Sequence, residues 1–192
     1  MLRRLYDRTM DLARGRHAMP VLAGVSFLES SVFPIPPDVL MIPMIVARPE
    51  RAFRIAAVCT LASVLGALLG YLIGYAAFEA IGRPILDFYG KADAFEDFAT
   101  RYNAWGAWAV LIAGVTPFPF KVITIASGFT ALSLPVFILS SVIARALRFF
   151  LVAAILWQFG APARDFIERR LGLVFTLFVV ALVGGFLLLG LV

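Results

Sequence analysis

Long apolar segments dominate this chain, and two of them are broken near their middles. Residues 18–47 and 105–134 are mostly apolar, yet prolines interrupt both. These are Pro34, Pro36 and Pro37 in the first segment, and Pro117 and Pro119 in the second. Because proline lacks a backbone N–H and its ring clashes with the preceding turn, neither segment can form one regular helix. Each segment either crosses a bilayer as a kinked helix or folds back as a re-entrant hairpin.

Three further segments are apolar without a break and long enough to cross a bilayer, which takes about 20 residues. They are residues 55–80, 136–159 and 173–192. Hydrophobic residues make up 62% of the 192 positions and charged residues only 15%. A water-soluble domain of this length could not bury so much apolar surface, so the sequence predicts a single integral membrane domain.

The two halves of the chain resemble each other. Pro34 and Pro36 precede Asp38 with the same spacing that Pro117 and Pro119 have before Lys121. Each half reads as a broken segment followed by a full span, and inverted repeats of this kind place a transporter's binding site at their interface. We therefore predict an all-α polytopic fold with two re-entrant helical hairpins in an inverted repeat. About three transmembrane helices and interfacial amphipathic helices complete it.

This organisation divides the single membrane domain into five parts. We expect an interfacial amphipathic helix, a first repeat, an interfacial linker, a second repeat, and a surface segment with a C-terminal span. The predicted ranges are 1–17, 18–82, 83–104, 105–160 and 161–192. The positive-inside rule places the N-terminus in the cytoplasm and the C-terminus outside, because the 83–103 segment is the one that is not basic. That assignment fails if the first broken segment is a kinked full span.

Five charged side chains lie within the apolar segments, where each costs about 2.5–3.5 kcal/mol unless it is paired or hydrated. They are Glu29, Asp38, Lys121, Arg145 and Arg148. Two carboxylates face three cations, so mutual neutralisation would leave a surplus of one positive charge. Arg145 and Arg148 are three residues apart and share a helix face. We predict that these arginines, with Lys121 assisting, bind a phosphate group.

The carboxylates have a separate predicted role. Glu29 and Asp38 would gate the cavity or carry protons, because burial and neighbouring arginines shift a carboxyl pKa in opposite directions. The simpler alternative is that the five charges only neutralise one another or reach an interface.

Gly66, Gly70 and Gly74 recur every four residues, a spacing that lets a neighbouring helix approach closely. We predict helix packing here, within the chain or in a homodimer. The single histidine, His17, lies outside the spans, and the chain has one cysteine. Serine–histidine hydrolysis and a histidine–cysteine zinc site are therefore disfavoured. We expect a transporter and no enzyme, with no cofactor, no metal and no nucleic-acid partner.

Several short motifs occur in an order that resembles one family. They are Phe27-Leu28-Glu29-Ser30-Ser31 before the first break, Gly66-x-x-x-Gly70-Tyr71-x-x-Gly74, Gly114-x-Thr116-Pro117-x-Pro119-x-Lys121, Ala126-x-Gly128, and Ala144-Arg145-x-x-Arg148-Phe149. Together they resemble the DedA superfamily, also called the SNARE-associated or VTT-domain family, in its YqaA-like branch. The acidic pair of that family corresponds to Glu29 and Asp38, and its arginine pair to Arg145 and Arg148.

The resemblance implies facing re-entrant hairpins and movement of lipids across a bacterial inner membrane. We therefore expect a flippase or scramblase of a phosphate-bearing lipid, such as undecaprenyl phosphate or a phospholipid, with proton coupling as one mode. Its partners would be anionic membrane lipids. The alternative is a proton- or ion-coupled carrier of a small anionic solute. An intramembrane enzyme and a purely structural role rank below these two.

Overall fold

The computed structural model describes residues 17–32, 36–116 and 118–169, with side chains up to residue 160. Its α-helices are α1 (Ala18–Glu29), α2 (Asp38–Ala47), α3 (Ala52–Ala77), α4 (Arg83–Phe88), α5 (Ala92–Val115), α6 (Phe120–Phe129) and α7 (Leu134–Arg169). A 3-10 turn, Pro49–Arg51, precedes α3, and a π turn, Phe78–Gly82, follows it. Residues 1–16 of the predicted surface helix, Pro34, Pro117 and the predicted span 173–192 lie outside the described residues.

The prediction of an all-helical chain is confirmed for the described residues, which contain no strand. Among the described residues, two helical stretches are long and apolar enough to cross a membrane. They are Pro49–Phe88, with 40 residues, and Leu134–Gly160, with 27. The first broken segment forms α1 and α2, of 12 and 10 residues. At 1.5 Å per residue these are about 18 and 15 Å long, which is well short of a bilayer's hydrocarbon thickness.

The second broken segment differs from its predicted boundary. Residues 83–104 were expected to form a separate interfacial linker, but α5 runs from Ala92 to Val115 without a break at Trp105. This helix has no internal proline, and its inner face is tied to the chain that follows. The Tyr102 hydroxyl lies 3.0 Å from Ser127 Oγ, and Asn103 Nδ2 donates to the Thr130 carbonyl at 2.8 Å. The amphipathic stretch therefore continues directly into the apolar one.

The contacts of the first broken segment give the directions of its two helices. Ser26 Oγ donates to the Cys59 carbonyl, and Ser30 contacts Ser63, so α1 and α3 run in the same direction. Helix α7 runs opposite to α3, because Arg145 contacts Ser63 while Trp157 contacts Phe53 near the start of α3.

Helix α2 runs in the same direction as α7. Asp38, its first residue, pairs with Arg148, while Met44 and Ile45 lie in one apolar cluster with Leu156. Helix α1 is parallel to α3, and α2 is parallel to α7. Because α3 and α7 run in opposite directions, α1 and α2 also run in opposite directions.

The second broken segment also forms two helices of opposite direction, and it packs along the C-terminal half of α3. Thr124 lies at Gly70 and Phe129 at Phe78, so α6 runs parallel to α3. Tyr102 near the middle of α5 contacts Ser127 near the end of α6, while Gly114 faces the Phe120 ring at its start. Helices α5 and α6 therefore run in opposite directions.

The two breaks meet beside the middle of α3. The Thr124 hydroxyl donates to the Ser30 carbonyl at 3.0 Å, which joins α6 to the end of α1. The glycines of α3 make this approach possible. A Cβ at Gly66 would meet the Phe27 carbonyl, and one at Gly74 would meet the Ile125 carbonyl. One face of α3 is thus covered by both broken segments of the same chain.

Candidate functional site

Arg145 occupies the centre of the region where the two breaks meet. Its side chain is 1% exposed. Nε donates to Ser63 Oγ at 2.6 Å, and one terminal nitrogen pairs with Glu29 Oε2 at 2.7 Å. The guanidinium also lies over two rings, 4.8 Å from the Phe120 centroid and 4.6 Å from that of Phe149. Such contacts compensate a buried guanidinium for its lost hydration.

Serine hydroxyls extend this pair into a network. Ser30 Oγ lies 2.7 Å from Ser63 Oγ and also contacts the Glu29 carboxylate at 3.1 Å. Ser30 and Glu29 end α1, Ser63 belongs to α3, and Arg145 belongs to α7. Three helices are therefore joined through one polar cluster in an apolar surrounding.

Arg148 forms a second pair one helical turn further along α7. One of its terminal nitrogens lies 2.6 Å from Asp38 Oδ2, and the other donates to the Thr116 carbonyl at 2.7 Å. Asp38 starts α2, and Thr116 ends α5 at the second break. Arg148 thus connects the two broken segments directly. Its side chain is 16% exposed, so it is more accessible than Arg145.

Lys121 is the fifth of the predicted charges and is partly exposed. Its ammonium group makes a long hydrogen bond of 3.5 Å to the Val32 carbonyl, just before the first break. Within the described part of the chain, no carboxylate pairs with Lys121. The lysine therefore lies at the meeting point of the breaks, and none of the described residues compensates its charge there.

The structure brings together all five charged residues that the sequence singled out. In this conformation Arg145 and Arg148 are bound to Glu29 and Asp38, so their donors are engaged within the protein. Phosphate binding by either arginine would need part of that network to open. The predicted roles in phosphate binding, gating and proton transfer remain predictions.

Proline positions agree with the observed helix ends. Pro37 is the residue before α2, and Pro119 is the residue before α6, while Pro36 lies in the described part of the first break. Since proline needs no N–H partner, it suits the first position of a helix that begins inside an apolar region.

The sequence assigned a role to Glu29, one of the residues that hold Arg145, but to none of the other three, Ser63, Phe120 and Phe149. Ser63 lies in an apolar helix. Phe120 is next to Lys121 in the sequence, and Phe149 is next to Arg148. A lone serine among apolar residues could have indicated a buried polar contact. The two rings could not have been distinguished from ordinary core residues, because packing aromatics are common in such helices.

The sequence model of a protein family described as "VTT domain" matches residues 35–158, which cover most of the chain. The chain belongs to the VTT-domain family. A Haemophilus influenzae protein is 34% identical over 168 residues, covering 85% of this chain and 87% of the relative. A Histophilus somni protein is 38% identical over the same length and the same shares. Both relatives are described as uncharacterized proteins, and no solved structure matches the chain.

The VTT-domain match contains Asp38, Lys121, Arg145 and Arg148, and Glu29 lies six residues before it. VTT-domain proteins are membrane-associated and transporter-like, and the two long apolar helices of this chain are consistent with that. The buried charges are therefore within, or next to, the part of the chain that defines the family.

Proposed function

We propose that this protein moves a phosphate-bearing lipid across the bilayer, with undecaprenyl phosphate and phospholipids as the candidate substrates. One observation carries the proposal. Two broken segments approach the middle of α3 from opposite ends and meet at a buried set of charges with one surplus cation. Irregular backbone and charges at membrane depth are tolerated where they line a transport site.

In this proposal, α1 with α2 and α5 with α6 are re-entrant hairpins in a bacterial inner membrane. Their opposite helix directions and the short lengths of α1, α2 and α6 support it. The first hairpin would open to the cytoplasm, together with the N-terminus and the basic turn at Arg48 and Arg51. The second would open to the other side, which gives the inverted repeat.

The headgroup would bind where the breaks meet, while its acyl tails stay in the lipid. Lys121 and Arg148 are the more accessible cations of the set, and Arg148 already reaches both breaks. An anion that attracted Arg148 would compete with Asp38 for its terminal nitrogen. Binding would then weaken the link between the hairpins and allow them to separate on one side.

Glu29 and Asp38 provide the counter-charges of Arg145 and Arg148. If either carboxylate took up a proton, its arginine would lose its ion partner and become available to the substrate. Proton uptake and headgroup binding would therefore favour the same opened state. This is how a proton gradient would drive transport in one direction.

We propose a transporter and not an enzyme, since the site offers ion pairs and hydroxyls that already serve as structural hydrogen-bond partners. Ser30 contacts Ser63, which accepts from Arg145, and neither serine is next to a histidine. His17, at the start of α1, lies one residue before Ala18, at the end of the helix remote from Glu29.

Reconstituted vesicles provide the test. Fluorescent phospholipids and undecaprenyl phosphate would be compared with a labelled soluble anion, glycerol phosphate, with and without a proton gradient. We expect translocation of a lipid above the rate in protein-free vesicles, and no uptake of the soluble anion. Uptake of glycerol phosphate without lipid movement, by folded protein, would replace the proposal with solute transport.

A further inference from the structure

The charges around the meeting point of the breaks can be counted. Within residues 18–47, 55–78, 102–134 and 135–163, the sequence has five charged side chains and no others. The residues of the two breaks that lie outside the described ranges are Phe33, Pro34, Ile35 and Pro117, and none carries a charge. These four stretches around the meeting point therefore contribute two negative and three positive charges.

Two of the positive charges are already compensated by short ion pairs. Arg145 with Glu29 and Arg148 with Asp38 each sum to zero, with atoms 2.7 and 2.6 Å apart. Helix α3 adds no charge next to them, because the residues between Arg54 and Glu79 are all uncharged. With both carboxylates ionised, the net charge of the residues counted here is thus that of Lys121.

A site with a single positive charge at membrane depth favours a ligand with one negative charge over a ligand with two. One negative charge on the ligand brings the site to neutrality, whereas two would leave an uncompensated negative charge in an environment where ionised groups are costly. A phosphodiester carries one negative charge. A phosphomonoester carries about 1.5 to 2 at pH 7, because its second pKa is near 6.

We propose that Lys121 anchors a singly charged phosphate group, and that the site accepts phosphodiesters in preference to doubly charged phosphomonoesters. This rests on the proposed function and specifies its substrate class: phospholipids are favoured over undecaprenyl phosphate, whose phosphate is a monoester. The phosphodiester belongs either to a phospholipid headgroup or to a soluble glycerophosphodiester, which share this chemistry. Lys121 binds it through charge-assisted hydrogen bonds in place of its long contact to Val32.

The test compares phosphatidylglycerol with phosphatidic acid, both with a fluorescent acyl chain, in vesicles containing the full-length protein. Their phosphates are a diester and a monoester. Rates are measured by back-extraction with albumin at pH 7.5 and pH 5.5, with equal pH on both sides and protein-free vesicles subtracted. A third arm measures uptake of labelled glycerophosphoglycerol, the soluble diester.

At pH 7.5 we expect phosphatidic acid to move about tenfold more slowly than phosphatidylglycerol, and at pH 5.5 we expect the two rates to converge as the monoester becomes singly charged. Phosphatidylglycerol, measured at both pH values, corrects for any effect of pH on the protein itself. Lys121→Gln should slow phosphatidylglycerol about tenfold, and Lys121→Arg should retain most of the rate. Lys91→Gln changes the only other lysine, which is exposed, and is the matched control.

Equal rates for the two lipids at pH 7.5 would overturn the proposal, and so would a difference that persists unchanged at pH 5.5. Wild-type phosphatidylglycerol movement combined with an unaffected Lys121→Gln variant would reject Lys121 while the lipid function survives. Uptake of glycerophosphoglycerol that depends on Lys121, without lipid movement, would retain Lys121 as the anchor of a phosphodiester and reject the lipid function.

Discussion

Arg145 shows how a charge is accommodated in the apolar interior. Its side chain is almost completely buried, and it is held by a carboxylate, a hydroxyl and two aromatic rings. The energetic consequence is asymmetric, because removing one partner leaves the other charge buried without compensation. The network therefore fixes the position of α1 relative to α7.

Breaking the buried pair from one side should be more harmful than removing it. We expect Glu29→Leu or Arg145→Met alone to lower the free energy of unfolding by about 3–5 kcal/mol, and the double variant to lose less than the sum. The exposed pair Glu79 and Arg83 is the control, with an expected coupling of about 0–1 kcal/mol. Titration with sodium dodecyl sulfate would measure both cycles, and additive effects in the buried pair would contradict this assignment.

Ser63 should matter for stability in a way that a neighbouring buried serine does not. Ser63→Ala removes the acceptor for Arg145 Nε and should destabilise the protein by about 1–3 kcal/mol. Ser141 is also fully buried, but its hydroxyl has no hydrogen-bond partner among the described residues. Ser141→Ala should therefore be neutral or slightly stabilising in a thermal-unfolding assay. Equal losses for the two variants would show that the Ser63 contact is unimportant.

Helix α3 is the element on which both broken segments assemble. Its glycines let backbone carbonyls of α1 and α6 come within van der Waals range, so the hydroxyl contacts at Ser30 and Thr124 can form. Close approach of this kind provides packing that lipid-facing side chains cannot, because lipid tails are as apolar as the side chains themselves.

Glycine-to-alanine substitutions should therefore lower the free energy of unfolding at some sites and raise it at others. Gly66→Ala would place a methyl group against the Phe27 carbonyl and should cost about 1–3 kcal/mol, since backbone atoms must move. Gly24 in α1 is exposed and has open space, so Gly24→Ala should stabilise the helix by up to about 1 kcal/mol. Thermal unfolding of the two purified variants measures this. A stable Gly66→Ala variant would refute the close packing.

At the scale of the whole molecule, the two broken segments are expected to open to opposite sides of the membrane. If both broken segments turn back, the two ends of each lie on the same side of the membrane, and the two segments open to opposite sides. A kinked full span would place the ends of one segment on different sides.

Single-cysteine labelling tests this arrangement in a Cys59→Ala background. His17→Cys and Glu50→Cys flank the first segment, while Lys91→Cys and Ser133→Cys flank the second, and all four positions are exposed. An impermeant maleimide should label the first two from the cytoplasmic side and the last two from the other side. If His17→Cys and Glu50→Cys reacted from different sides, the first segment would be a full span.

Much of this arrangement could be predicted from the sequence, for reasons that differ between levels. Charges such as Glu29 and Arg145 stand out because an apolar segment rarely contains them, so their importance was predictable. Which carboxylate pairs with which arginine was not, because it depends on the directions of α1 and α2. The continuous helix α5 was also missed, because the change from amphipathic to apolar composition at Trp105 indicates a membrane boundary and not a helix end.

The most direct test of the central claim is the initial rate at which fluorescent phosphatidylglycerol crosses vesicles containing wild type, Arg148→Gln or Arg83→Gln. Arg148 contacts both breaks, whereas Arg83 is an exposed residue at the start of α4. The account predicts that wild type and Arg83→Gln accelerate crossing above protein-free vesicles, and that Arg148→Gln loses about tenfold or more of this acceleration. Folded wild type without acceleration, or Arg148→Gln with the full rate, would contradict transport through the meeting point of the two broken segments.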